Sequence, residues 1–212
     1  MRHPVKPLYL LACLMVLAGS VVSCKKDRLT NPFDLEAGTL SMKIDGNLRE
    51  AESAFVLNVP DEESGRHIVT VTAFFTPEGA SGDDEVMDAF HIYLSLSDAE
   101  FKNPKGTYDI IYVRDENEYS GFYALYQVNL GSGDQHEVYG FVDPEKSVGK
   151  LTITDFEIGN GSRSIPGLPS VTGYAKLKGT FQMQLTGATV DQGKTITITE
   201  GKFSVRNQFG FL

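Results

Sequence analysis

Tryptophan is absent from this 212-residue chain, and cysteine occurs only at Cys13 and Cys24. Without tryptophan, a carbohydrate-stacking platform would have to be built from tyrosine or phenylalanine. Positive charge is scarce as well. Lys and Arg number 19 against 28 Asp and Glu, for a net charge of −9. A nucleic-acid partner is thereby excluded, because phosphate binding needs clustered Lys and Arg. Long apolar runs are missing apart from Leu8–Val22, which Gly19 and Ser20 interrupt and which falls short of the ~20 residues of a membrane span. Catalytic signatures are missing too: there is no Gly-x-Ser-x-Gly, no His-Glu-x-x-His and no glycine-rich phosphate loop.

What is present begins at the N-terminus. Met1, Arg2 and Lys6 precede the apolar stretch Leu8–Leu17, and small residues lead to Val21-Val22-Ser23-Cys24. Basic, apolar and small-residue regions in that order form a secretory signal. A cysteine directly after the small residue resembles the lipobox of bacterial lipoproteins, in which that cysteine becomes the acylated first residue. The expected organisation is a signal peptide over 1–23, a lipidated Cys24 with a flexible tether over 24–37, and one β domain over 38–212. Loss of Arg2 and Lys6 with the signal takes the net charge to about −11. Cys24 is then the only thiol left, and acylation consumes it. The domain has no disulfide, no thiol chemistry and no Cys-ligated zinc, so its core alone must hold it together. The resemblance implies three acyl chains, which anchor firmly where a single chain does not. Lys25-Lys26-Asp27 has no Asp directly after the cysteine. By resemblance to lipoprotein sorting signals this points to the outer membrane, with periplasmic and surface-exposed orientations both open.

From Gly38 onward the pattern alternates with a period of two, and no segment carries a 3.6-residue stripe. Asp45-Gly46 between Ser41–Ile44 and Asn47–Glu50 predicts a hairpin whose turn needs positive φ at both central residues. Phe90, Ile92, Leu94 and Leu96 share one parity, with His91, Tyr93 and Ser95 opposite. Ser97-Asp98-Ala99-Glu100 reads as a capping box opening a single helical turn that Pro104 ends. Gly149–Phe156 echoes Gly193–Glu200. Two copies are too few for a repeat array, so the echo predicts two strands flanking a shared partner. The fold read from these segments is all-β: a single antiparallel two-sheet β-sandwich of about nine to eleven strands. A closed up-and-down or calycin-like β-barrel is the alternative.

The lipobox, the Met42–Gly46 hairpin, Gly106-Thr107-Tyr108 and the closing Gly193–Phe203 segment, taken in this order, resemble a family of small lipoproteins of Bacteroidota. Its shared domain has no assigned activity. The resemblance spans most of residues 38–205 and implies an all-β exported domain with an outer-membrane address. It transfers no catalytic residue.

Among chemistry-bearing residues, His67, His91 and His136 lie on separate segments without metal-ligand spacing. No cofactor motif is found. Asp83, Asp84 and Glu85 are the candidate calcium ligands, since calcium takes oxygen donors. They match no EF-hand pattern, and solvated turn charge is the plainer account of them. Tyr108, Tyr112, Tyr119, Tyr123 and Tyr126 crowd one region and form the candidate binding surface for a sugar ring or peptide, with ordinary half-buried sheet aromatics as the plainer account. The expected partners are the membrane, through Cys24, and a glycan or an envelope protein. Three classes of function remain: a non-enzymatic envelope lipoprotein that binds or presents such a partner, a structural or assembly component of the envelope, and a hydrolase of polysaccharide or cell wall. Nothing in the sequence supports the last one positively.

Overall fold

The computed structural model describes residues 38–61, 65–77, 87–111, 118–130, 137–140, 148–159, 173–188 and 193–207. The expected signal peptide, Cys24 and the expected tether therefore lie outside the described residues. Among the described residues there are eleven strands and one short helix: β1 (Thr39–Ile44), β2 (Asn47–Glu50), β3 (Ser53–Asp61), β4 (Arg66–Phe75), β5 (Met87–Leu96), α1 (Asp98–Lys102), β6 (Gly106–Asp109), β7 (Gly121–Leu130), β8 (Glu137–Gly140), β9 (Gly149–Gly159), β10 (Gly173–Gly187) and β11 (Thr195–Asn207). The chain is all-β, as its alternation predicts.

Local chemistry accounts for the elements. Asp45 and Gly46 turn the β1–β2 hairpin with φ of 48° and 87°, the pair of positive values that the turn requires. Asp45 also docks this hairpin: its N–H donates to the Thr197 carbonyl at 2.9 Å, and its Oδ1 accepts from the Thr197 N–H at 2.8 Å. On β5, Phe90, Ile92, Leu94 and Leu96 are buried while His91 and Tyr93 are half-buried on the opposite face. The capping box of α1 is complete. Ser97 accepts from the Glu100 N–H, and the Glu100 carboxylate accepts from the Ser97 N–H at 2.9 Å.

Ladders join the strands into one mixed sheet in the order β2-β1-β11-β3-β4-β5-β7-β8-β10-β9-β6, with a further ladder between β10 and β11. That further ladder closes a circuit, since β11, β3, β4, β5, β7, β8 and β10 return to β11. Strand ends make the joins. Arg206 and Asn207 of β11 pair with Phe55 and Val56 of β3, in the only parallel ladder among the described strands. Thr186 and Gly187 of β10 pair with Gly140 and Tyr139 of β8. Where the sequence suggests separate antiparallel sheets, hydrogen bonding thus passes from one group of strands to the next. The two echoing segments, in β9 and β11, do flank one partner. Met183 of β10 faces Gly149 on one side and Ile198 on the other.

The inward residues of these strands form a single apolar cluster in which Met42, Val56, Phe90, Leu94, Phe122, Leu177 and Ile198 are at most 2 % exposed. Each such side chain contributes roughly 1.5–3 kcal/mol by leaving water. Between β10 and β11 the packing is reciprocal. Gly179 lies opposite Phe203, and Phe181 lies opposite Gly201. Each ring covers the glycine facing it, an arrangement that shields backbone from water. A Cβ on Gly179 would stand 2.6 Å from Phe203 Cζ, and one on Gly201 would meet the Phe181 ring closer still. Phe181 and Phe203 are each only 4 % exposed and have no room to swing away. Gly201→Ala should therefore lower stability by about 1–3 kcal/mol, the usual cost of overpacking. Urea unfolding checks this, and an unchanged midpoint would contradict the packing.

Candidate functional site

One end of the circuit opens into a cavity of about 350 Å³ between the β1–β2 hairpin and the ends of β5, β7, β8 and β11. Its polar lining comes from Asp45, Asn47, Arg49, Asp88 and Glu137, its rings from Tyr126 and Tyr139, and its aliphatic surface from Ile44, Val128 and Ile196.

Asp88 shares the even-numbered, inward parity of β5 with Phe90 and Ile92, and it is 2 % exposed. A carboxylate in that position needs compensation. Arg49 reaches it from β2, with Nη2 2.8 Å from Asp88 Oδ2, and the Tyr126 hydroxyl donates to the same oxygen at 2.9 Å. The Arg49 Nη2 also donates to the Thr76 carbonyl at 2.9 Å, and the guanidinium lies 5.6 Å from the Phe75 ring centre. A planar fork of donors that also stacks on a ring suits this position as lysine would not. The pair ties β2 to the facing ends of β4 and β5.

On β8, the Tyr139 hydroxyl donates to Glu137 Oε2 at 2.8 Å, and the Lys194 ammonium stands 5.9 Å from the Tyr139 ring centre. Burial, together with the hydrogen bond to Glu137, raises the Tyr139 phenol above its ordinary value despite the opposing Lys194 charge. The Tyr126 and Tyr139 rings are 6.4 Å apart and inclined by 30°. The base of the cavity is thus a neutralised ion pair, its walls are phenol rings and aliphatic side chains, and its rim carries an amide and carboxylates. Such a set recognises by hydrogen bonding and ring contact. Asp88, tied by two donors, is badly placed to exchange a proton with a substrate.

The tyrosines expected to share a surface are divided by strand parity. Tyr108 is buried at 8 % exposure and donates to the Pro104 carbonyl at 2.9 Å, and Tyr126 is buried at the cavity base. Tyr123 faces outward on β7 and stacks on Tyr93, with ring centres 4.5 Å apart. Tyr119 is 58 % exposed. Tyr112, the calcium candidates Asp83, Asp84 and Glu85, the lipidation candidate Cys24 and His136 lie outside the described residues. His91 is held by Thr72 at 3.0 Å and Gln127 at 3.2 Å, and burial lowers its pKa although the Gln127 bond opposes this. His67 contacts Asp98 at 2.7 Å and stacks on Phe101. Among the described residues no three potential metal ligands converge, and no helix is long and apolar enough to cross a membrane.

Sequence reasoning missed Arg49, Asp88, Glu137 and Tyr139. A signal for Asp88 existed: it continues the inward parity of Phe90 and Ile92 by one step, although its acidic neighbours assign it to the preceding loop. No protein-family model, no curated protein and no solved structure matches this chain. The site is therefore read from its own chemistry.

Arg49→Met, which leaves Asp88 buried without its counter-charge, should cost roughly 3–5 kcal/mol in urea unfolding. Arg49→Met combined with Asp88→Leu should recover a large part of that loss, and equal stability of the single variant and the parent would contradict the pairing. A second expectation concerns alkaline pH. Burial, with the Glu100 charge adding to it, pushes the Tyr108 phenol up to about 12. An unfolded tyrosine titrates near ~10. The neutral buried phenol therefore contributes stability that is complete below about pH 10 and is lost as pH rises through about 12. Stability of Tyr108→Phe should fall less steeply than that of the parent over that window, as followed by urea midpoints against pH.

Proposed function

We propose that this chain is a lipid-anchored protein of the cell envelope, held at the outer membrane through Cys24, whose β domain binds a partner and performs no chemistry on it. The anchor is supported by the basic, apolar and small-residue order that ends in Ser23-Cys24. Binding is supported above all by the cavity under the β1–β2 hairpin. There the buried carboxylate Asp88 is already satisfied by Arg49 and Tyr126, beneath a rim of polar side chains. A hydrolase of polysaccharide would need a carboxylate poised to give or take a proton, and Asp88 is committed elsewhere.

A protein partner has one observation in its favour. The outward face of β3, β4, β5 and β7 carries Phe55, Phe74, Tyr93 and Tyr123 as half-buried aromatic side chains, with Phe55 and Phe74 6.1 Å apart. Sheet faces of this kind serve as contact surfaces when another body covers them.

The anchor is tested by labelling cells with a radioactive fatty acid and separating membrane from soluble fractions. The parent protein should carry label and sediment with the membrane, whereas Cys24→Ala should lose the label and appear in the soluble fraction. Continued membrane association of unlabelled Cys24→Ala would overturn the proposal.

A further inference from the structure

We infer that the cavity between the β1–β2 hairpin and the β7–β8 end takes a neutral, hydroxyl-rich ligand, a sugar unit, with its ring against the Tyr139 side and its hydroxyls on Asn47, Glu137 and the Tyr139 oxygen. This rests on reading the domain as a binding protein and specifies what it binds and where.

Size and charge narrow the ligand. The cavity, at about 350 Å³, is at the small end of the ~300–1,000 Å³ range of small-molecule sites. That suits a sugar unit and not a folded segment of a protein. Asp45, Asp88 and Glu137 face it with Arg49, while Lys194 lies against Tyr139 at the edge. Anionic ligands meet an excess of carboxylates. Among the described lining residues, the one guanidinium that could grip a phosphate or carboxylate bidentately is already spread over Asp88, the Thr76 carbonyl and the Phe75 ring.

A wholly apolar ligand would strand the polar rim out of water, at the cost that any unpaired polar group incurs. A sugar hydroxyl both donates and accepts. It can give a hydrogen bond to the Glu137 carboxylate and take one from the Asn47 amide, whose two ends serve either role. The phenol of Tyr139, whose proton is held by Glu137, adds an acceptor lone pair for a sugar hydroxyl. Ile44, Val128, Ile196 and the two tyrosine rings supply the surface on which the C–H face of a sugar ring can rest. Asn47 and Asp45, at the hairpin tip, are exposed to arriving ligand, and Asp45 is fixed by its two hydrogen bonds with Thr197.

The absence of tryptophan makes the test simple, because tyrosine fluorescence can be read without interference. The full-length lipoprotein, in a detergent without a sugar headgroup, is titrated with free glucose, galactose and mannose and with neutral hexasaccharides of each. Glucosamine serves as the cationic control and galacturonate as the anionic one. Saturation-transfer NMR on the sugars provides a second readout. At least one neutral sugar should bind, and Asn47→Ala and Tyr139→Phe should each weaken it by roughly 3- to 10-fold, the effect of losing one hydrogen bond. Asn47 is an exposed hairpin residue, so its variant should keep the parent's urea midpoint. Equal affinity for a monosaccharide and its hexasaccharide would mark a free sugar as the ligand. Tighter hexasaccharide binding would mark the end of a glycan. Neutral-sugar binding that neither variant changes would overturn the site while leaving the binding reading intact. A response to glucosamine or galacturonate alone would overturn the ligand class. Silence toward every sugar would overturn the inference, and the binding reading would then stand or fall separately on capture of an envelope protein through the Tyr93–Tyr123 face, read by cross-linking on whole cells.

Discussion

The long antiparallel ladder between β10 and β11 is the constraint on which the rest depends. At 15 and 13 residues and about 3.3 Å per residue, these strands are longer than the neighbours they must serve. They have to leave one group of strands and enter another. A register shift between Phe181 and Met183, opposite Glu200 with its φ of 52°, marks where the ladder bends, as bulges do. The two strands stay paired on both sides of the bend, and being antiparallel they carry their C-terminal ends to opposite ends of the ladder. The C-terminal end of β10 reaches β8, and that of β11 reaches β3. The reciprocal Gly179–Phe203 and Phe181–Gly201 pairs lie on the same ladder. The most crowded backbone approach thus sits where the sheet has to hold its register.

Closing the circuit at strand ends has a consequence at the mouth. Among the described residues, the β1–β2 hairpin is an edge pair whose backbone pairs with the rest of the sheet along β11 and through one bridge between Gly38 and Ala54. Its placement over the cavity depends on side chains. Asp45 ties its turn to Thr197, and Arg49 ties its second strand to Asp88 and to the Thr76 carbonyl. The cavity is therefore built by two polar attachments of one hairpin, and the residues that line it are the ones that hold it in place.

Much of the fold was legible in the sequence because its signals are local. Asp45-Gly46 dictates its turn, Ser97 and Glu100 dictate the cap of α1, and the parity of Phe90 to Leu96 dictates which face of β5 is buried. Even a long-range feature, two echoing strands about one partner, could be read, because both segments carry the same alternation. The parallel β3–β11 join could not, since it rests on a two-residue pairing between segments far apart in the chain. The site was hidden for a similar reason. Arg49 and Asp88 are 39 positions apart, and each looks like ordinary surface charge until the hairpin folds over the end of β5. Crowding of tyrosines in sequence is not sharing of a face. Tyr123 and Tyr126 lie on one strand yet point to opposite sides of it.

A buried ion pair is weak ground for explaining stability, because well-packed apolar residues of the same volume often serve as well or better. The point bears hard on this chain, whose domain has no cysteine with which to staple itself and depends on its core. An apolar pair in place of Arg49 and Asp88 would extend that core up to the mouth and leave a greasy opening. What the ion pair adds is polarity that is already neutralised. It lets the inward face of β5 end in a group that holds the hairpin and the Tyr126 hydroxyl in fixed positions, without presenting a net charge to whatever enters. Fixed donors and acceptors above a neutral base can discriminate by the pattern of hydroxyls, while the carboxylates of Asp45 and Glu137 disfavour anions. That is why the ion pair belongs to the binding argument more than to the stability argument.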